Sequence, residues 1–105
     1  MTEPAKTPKP PYYAVIFTSI RNHGDDGYAH TAERIVQLAS EQPGFLGFEA
    51  ARQDIGISIS YWDSEEAIKG WKANAEHQLA QQRGKEEWYR WYRIRVCRVE
   101  REYGS

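Results

Sequence analysis

A chain of 105 residues has room for one domain, and 40% hydrophobic with 28% charged residues is a globular mixture that excludes collagen-like, coiled-coil and wholly disordered chains. Fourteen Lys and Arg against fifteen Asp and Glu leave a formal charge of −1, without the basic excess of a nucleic-acid binder, and no apolar run approaches the roughly 18 residues of a membrane span. Cys97 is the one cysteine, no Cys/His cluster has zinc-ligand spacing and no signal-peptide core begins the chain, so the sequence predicts a cytoplasmic protein with no disulfide, metal, nucleic acid or membrane partner.

Residues Met1 to Pro11 hold Pro4, Pro8, Pro10 and Pro11 among Lys, Thr and Glu, which reads as a disordered tail ahead of a domain over 12–105. From Tyr12 to Ile20 the run YYAVIFTSI is uncharged and β-favouring. Tyr13, Val15, Phe17 and Ser19 alternate with Ala14, Ile16, Thr18 and Ile20; both sets are largely apolar, so each face of this strand needs a cover. Arg21 to Gly27 is a turn-rich loop in which His23, Asp25 and Asp26 are weak metal-ligand candidates. Tyr28 to Gln42 carries Ala32, Ile35, Val36, Leu38 and Ala39 at helical spacing, stopped by Pro43-Gly44. Phe45 to Gln53 and Gly56 to Trp62 make a hairpin about Asp54-Ile55.

Asp63 with Glu66 reads as a capping box for a second helix, on which Ile68, Trp71, Ala75 and Leu79 lie near one face. The stripe is sparse at Asn74, which predicts a break there, and Gly84 is a natural stop. Glu86 to Tyr89 could add one short turn. The last strand runs from Trp91 to Tyr103, with an apolar parity change between Val96 and Cys97 that predicts a bulge.

The order β-α-β-β-α-β specifies an α+β, ferredoxin-like fold: a four-stranded antiparallel sheet with both helices on one face. Two helices cover one face only. An exposed apolar sheet face is an aggregation liability or an interface, and the economical cover is a second copy, giving a homodimer through the open sheet face.

The segments Gly44-Phe45-Leu46-Gly47-Phe48-Glu49, Ile59 to Ala67 with Trp71, Glu76 to Gly84, and Trp88-Tyr89 with the Tyr92 to Tyr103 strand resemble the antibiotic biosynthesis monooxygenase family of the dimeric α+β barrel superfamily. The W-x-S-x-E-A-x-x-x-W pattern from Trp62 to Trp71 is the most specific part. The resemblance implies a dimeric barrel and, in some members, oxidation of polycyclic phenols or quinols by dioxygen without bound metal or flavin. Other members open heme, using a histidine ten residues after a tryptophan and an asparagine on the first strand. Here Trp71 and His77 are six apart and the strand offers Thr18 or Ser19, so the heme pattern is not reproduced.

His77 is the candidate catalytic base, because an imidazole titrating near neutrality can take a phenolic proton. On an unbroken helix it stands roughly 240° from Trp71; the break at Asn74 would turn it inward. Trp62, Trp71 and Phe17 are candidate walls for a small aromatic substrate, with Tyr61 and Tyr92 as hydrogen-bond partners, although helix-on-sheet core packing also explains the tryptophans and is the better account of Trp71. Trp88, Tyr89, Trp91 and Tyr92 suit either an interface or a pocket rim, and the arginines from Arg90 to Arg101 suit a solvated face among Glu86, Glu87, Glu100 and Glu102. The sequence therefore predicts a cofactor-independent monooxygenase. Its rivals are a non-catalytic aromatic-binding or stress-related module and, less well supported, a heme-degrading enzyme.

Overall fold

In the computed structural model the residues described are 3–22, 27–81 and 88–105, with residues 76–81 described as backbone only. Their elements are β1 (Tyr12–Arg21), α1 (Tyr28–Ser40), β2 (Phe45–Arg52), β3 (Gly56–Trp62), α2 (Glu65–Gln81) and β4 (Tyr89–Val99). The strands form one sheet in the order β2-β3-β1-β4, each neighbouring pair antiparallel. This is the ferredoxin-like α+β fold that the element order predicts.

Register sorts the side chains between two faces. Tyr13, Val15, Phe17 and Ser19 of β1 stand opposite Trp62, Ser60, Ser58 and Gly56 of β3, and these positions form the inner face beneath the helices. The core is built there: Ala39 of α1, Ile68 and Trp71 of α2 and Trp62 of β3 are buried together, with Tyr13, Val15, Ile35 and Phe45 packed around them. Trp62 is fully enclosed; its indole stacks on Trp71 at 6.1 Å and meets Phe45 edge-on at 5.5 Å.

Several local details differ from the sequence reading. The cap of α2 is Ser64, not Asp63: its hydroxyl accepts the Ala67 N–H at 3.2 Å, while the Asp63 N–H is taken by the Gly44 carbonyl. Gly44 has φ +85°, and a Cβ there would press on Asp63 and Ala67, so β2 can start this close to α2 only with glycine. The helix is continuous through Asn74, whose amide donates to Gln42 at 3.3 Å, so the predicted break is absent. Pairing of β1 with β4 runs in step through Val96 and Cys97; the irregularity falls instead at Ile20/Arg21. The parity change at Val96 has another cause: on this edge strand the helices leave the inner face open, with Ile94 and Val96 about half exposed (49% and 52%).

The outer face carries Ala14, Ile16 and Thr18 of β1 beside Ile57, Ile59 and Tyr61 of β3. Residues 3–11 form no helix or strand, but they touch one end of this face. The Ala5 N–H donates to a Glu49 carboxylate oxygen at 3.0 Å, and the Thr7 hydroxyl lies 2.9 Å from the Tyr12 hydroxyl. Tyr61 donates to the other Glu49 oxygen at 2.5 Å, and Tyr12 donates to Glu102 at 2.6 Å. The Tyr61 and Ala5 bonds hold the Glu49 carboxyl below its ordinary range. Burial first, then the Glu49 bond, pushes the Tyr61 phenol well above its usual value.

A carboxylate favoured in its ionised folded form stabilises the protein above the unfolded pKa and loses that contribution as pH falls through the lowered folded value. The melting temperature should therefore drop between about pH 5 and pH 3, and Glu49→Gln should flatten part of that slope. Thermal unfolding followed by circular dichroism across this range checks it; identical slopes would remove Glu49 as the cause.

Candidate functional site

The inner face of β3 reads Gly56, Ser58, Ser60, Trp62. Only the last fills space. Above it the helices present Ala32 and Ala39 from α1 and Ala75 from α2, and the missing volume becomes a cavity of about 260 Å³ between sheet and helices. Aromatic rings wall it: Phe17, Tyr28, Phe48, Trp71 and Tyr89. Apolar walls with few polar groups are what a small hydrophobic ligand requires.

The polar groups gather toward one end. Tyr89 sits edge-on to Phe17 at 5.2 Å and to Tyr28 at 5.7 Å, with the two phenolic oxygens 3.4 Å apart. The Arg21 guanidinium lies 3.5 Å above the Tyr28 ring and donates to the Trp88 carbonyl at 3.1 Å. Burial, with the Tyr28 contact next, drives the Tyr89 phenol far above its usual value, against the opposing pull of Arg52 and Arg21. The shift favours the protonated phenol, whose hydroxyl donates to Tyr28. Arg52, at the end of β2, donates to the Ser19 hydroxyl and completes this end.

Of the residues singled out from sequence, Phe17 and Trp71 line the cavity. Trp62 stands behind Trp71 as core, so the wall it supports is indirect. Its indole N–H donates to Ser60 at 2.9 Å. Tyr61 lies on the outer face, bonded to Glu49, where strand parity puts it away from the cavity. The Tyr92 ring is 5.7 Å from Phe17 and 6.0 Å from Tyr89, beside the lining. His77 belongs to α2, but its side chain lies outside the described residues, as do the loop residues His23, Asp25 and Asp26 and the turn at Glu86. The aromatic cluster divides: Trp88 is buried against Tyr28, Tyr89 lines the cavity, and Trp91 is exposed.

Sequence reading missed Arg52, Tyr28 and the three serines. No pattern along the chain pointed to them: Gly56, the first residue of β3, stands opposite Arg52 only once β2 and β3 have paired. Among the described residues no three His, Cys, Asp or Glu converge to hold a metal ion. None of the described lining residues is His, Cys or Met, so they do not supply the usual axial ligand of a heme. No described helix is long and apolar enough to cross a membrane.

The family model of the antibiotic biosynthesis monooxygenases matches residues 11–83, from the start of β1 through α2. The chain belongs to that family. Another protein, Uncharacterized protein YqjZ of Bacillus subtilis (strain 168), is 52% identical to this family member over 100 residues, covering 93% of this chain and 88% of that one. SnoaB, a cofactor-independent oxygenase from Streptomyces nogalater, superposes with a TM-score of 0.74 over 91% of this chain and 100% of its own, at 11% identity. PA3566 from Pseudomonas aeruginosa gives 0.66 at 17% identity, covering 90% of this chain and 98% of that one. At such identities the two structures establish the shared fold alone.

If the cavity holds an aromatic ligand, filling it must exclude that ligand. Ser58→Leu, which places a branched side chain on the cavity floor, should weaken binding of 1-naphthol by about tenfold or more. Isothermal titration checks this, with circular dichroism confirming an unchanged fold.

Proposed function

We propose that this family member is a monooxygenase that uses dioxygen to oxidise a small phenol or quinol bound between the sheet and the helices, without a cofactor. The observation that carries the reading is the cavity itself: aromatic walls at Phe17, Phe48 and Trp71 around an apolar interior, with phenolic donors at one end. Membership of the family and the oxygenase SnoaB among proteins of this fold support the same class of reaction.

The chemistry asks little of the protein. Deprotonation makes the substrate electron-rich enough to pass an electron to dioxygen; the radical pair combines into a hydroperoxide, and loss of water leaves a carbonyl. For a naphthol the balance is one naphthol and one dioxygen giving one naphthoquinone and one water, with every electron coming from the substrate. The protein has to stack the ring, keep bulk water away and accept a proton. In this reading Trp71 and Phe17 hold the ring and the Tyr28–Tyr89 hydroxyl pair supplies a donor to a substrate oxygen. His77 is the candidate base on chemical grounds; α2 runs through Asn74 without the break that was to turn it inward, so its part rests on the test below.

We assign the outer face of the sheet to a second copy of the chain. Ile57, exposed at 45%, and the paired Ile59 and Ile16 form an apolar patch, and Trp91, exposed at 41%, stands beside Ile20 on the same face beyond Arg93 and Arg95, a surface that a symmetric partner buries. Sedimentation at micromolar concentration should show a dimer, and Ile59→Glu should leave a folded protomer.

Oxygen-electrode measurements with a panel of naphthols and naphthoquinols test the reaction. Uptake with equimolar quinone formation is expected, falling by about a hundredfold in His77→Ala. Binding of these compounds without oxygen uptake would make the protein a ligand-binding module. A rate unchanged in His77→Ala would remove His77 from the mechanism.

A further inference from the structure

Arg52, Gly56 and Ser19 occupy one row across three adjacent strands: Arg52 pairs with Gly56, and Gly56 pairs with Ser19. The Arg52 side chain crosses β3 over the bare backbone of Gly56 and donates to the Ser19 hydroxyl on β1. A Cβ on Gly56 would fall on the guanidinium itself. Ser19, fully enclosed, anchors the far end of this crossing. The result is a cation fixed at one end of a cavity whose other end, at Val15, Ala39 and Trp71, is apolar.

Two further facts bear on what this cation does. Ser19 takes one guanidinium N–H, and among the described residues no carboxylate bonds to the rest. Arg52 is also exposed overall while lining the cavity, so it keeps contact with solvent and escapes the heavy cost of a sealed, unpaired charge. A planar guanidinium with unused N–H groups matches a carboxylate in a two-point fork.

We propose that Arg52, held over Gly56 onto Ser19, is the specificity-determining residue of the cavity and selects aromatic ligands that carry a carboxylate at one end. This rests on the reading of the cavity as an aromatic-ligand site and adds the polarity of that ligand: ring toward Trp71, acid toward Arg52. Gly56 is the residue that permits the arrangement.

The test compares 2-naphthoate with 2-naphthamide, equal in shape and different in charge, by isothermal titration near pH 7.5. Wild-type protein should bind the acid at least about tenfold more tightly than the amide, and the difference should shrink as salt is raised. Arg52→Gln should bring the ratio close to one while leaving the amide affinity within about twofold. Gly56→Ala keeps every charge but displaces the guanidinium, and it should have the same effect; thermal unfolding of both variants verifies that they fold. Equal affinity of wild-type protein for acid and amide, or a ratio preserved in Arg52→Gln, overturns the proposal and leaves the aromatic site standing. Failure of both compounds to bind overturns the aromatic site and the selection together.

Discussion

The structure turns on an absence of side-chain volume at the centre of the inner sheet face. Helices laid on a sheet normally interlock with large residues and leave few voids wider than a water molecule. Here β3 offers Gly56, Ser58 and Ser60 where a packed interface would hold Val, Ile or Leu, and α1 answers with Ala32 and Ala39. A cavity weakens a core because its lining atoms lose contacts. The fold offsets that cost at the far end, where Trp62 and Trp71 stack and Ile68 and Ala39 close around them. Packing and open space are thus separated along one sheet: tryptophan at one end of β3, glycine at the other.

The same separation organises the polar groups. The glycine end lets Arg52 lie flat across a strand, and Tyr28 and Tyr89, their hydroxyls paired, line the cavity with it. The outer face solves a different problem. Glu49 and Glu102 sit on phenols rather than on basic residues, with Ala5 and Thr7 adding bonds from the N-terminal segment. Those contacts occupy the end of the face near Tyr12 and Tyr61, and leave Ile57 and Ile59 as its apolar part.

The architecture was legible in the sequence because each element carries its own punctuation. Pro43-Gly44 ends α1, Asp54-Ile55 turns the hairpin, and the period of β1 separates Val15 and Phe17 from Ala14 and Ile16. The W-x-S-x-E-A-x-x-x-W pattern marks the junction of β3 with α2, where Trp62 and Trp71 meet. Finer features were hidden for physical reasons. Asp63 and Ser64 are both good caps, and because α2 starts at Glu65 the role falls to Ser64, the residue just before it. Sparse apolar spacing at Asn74 does not break a helix whose amide finds Gln42 across the packing.

The site was legible only in part. Large aromatics announce walls, and Phe17 and Trp71 were found that way; residues that make space do so by being small, so Ser58 and Ser60 carried no signal. Tyr61 was drawn into the site by its chemistry and excluded by its parity. Arg52 needed a pairing across three strands that no single-chain pattern displays.

Whether the space above Ser58 and Ser60 holds a ligand is decided by a crystal structure of the protein with a non-oxidisable bicyclic phenol. The ring should lie in the cavity between Phe17 and Trp71, over an unshifted sheet. A ligand bound elsewhere, or a cavity closed by collapse of α1 onto β3, would contradict it.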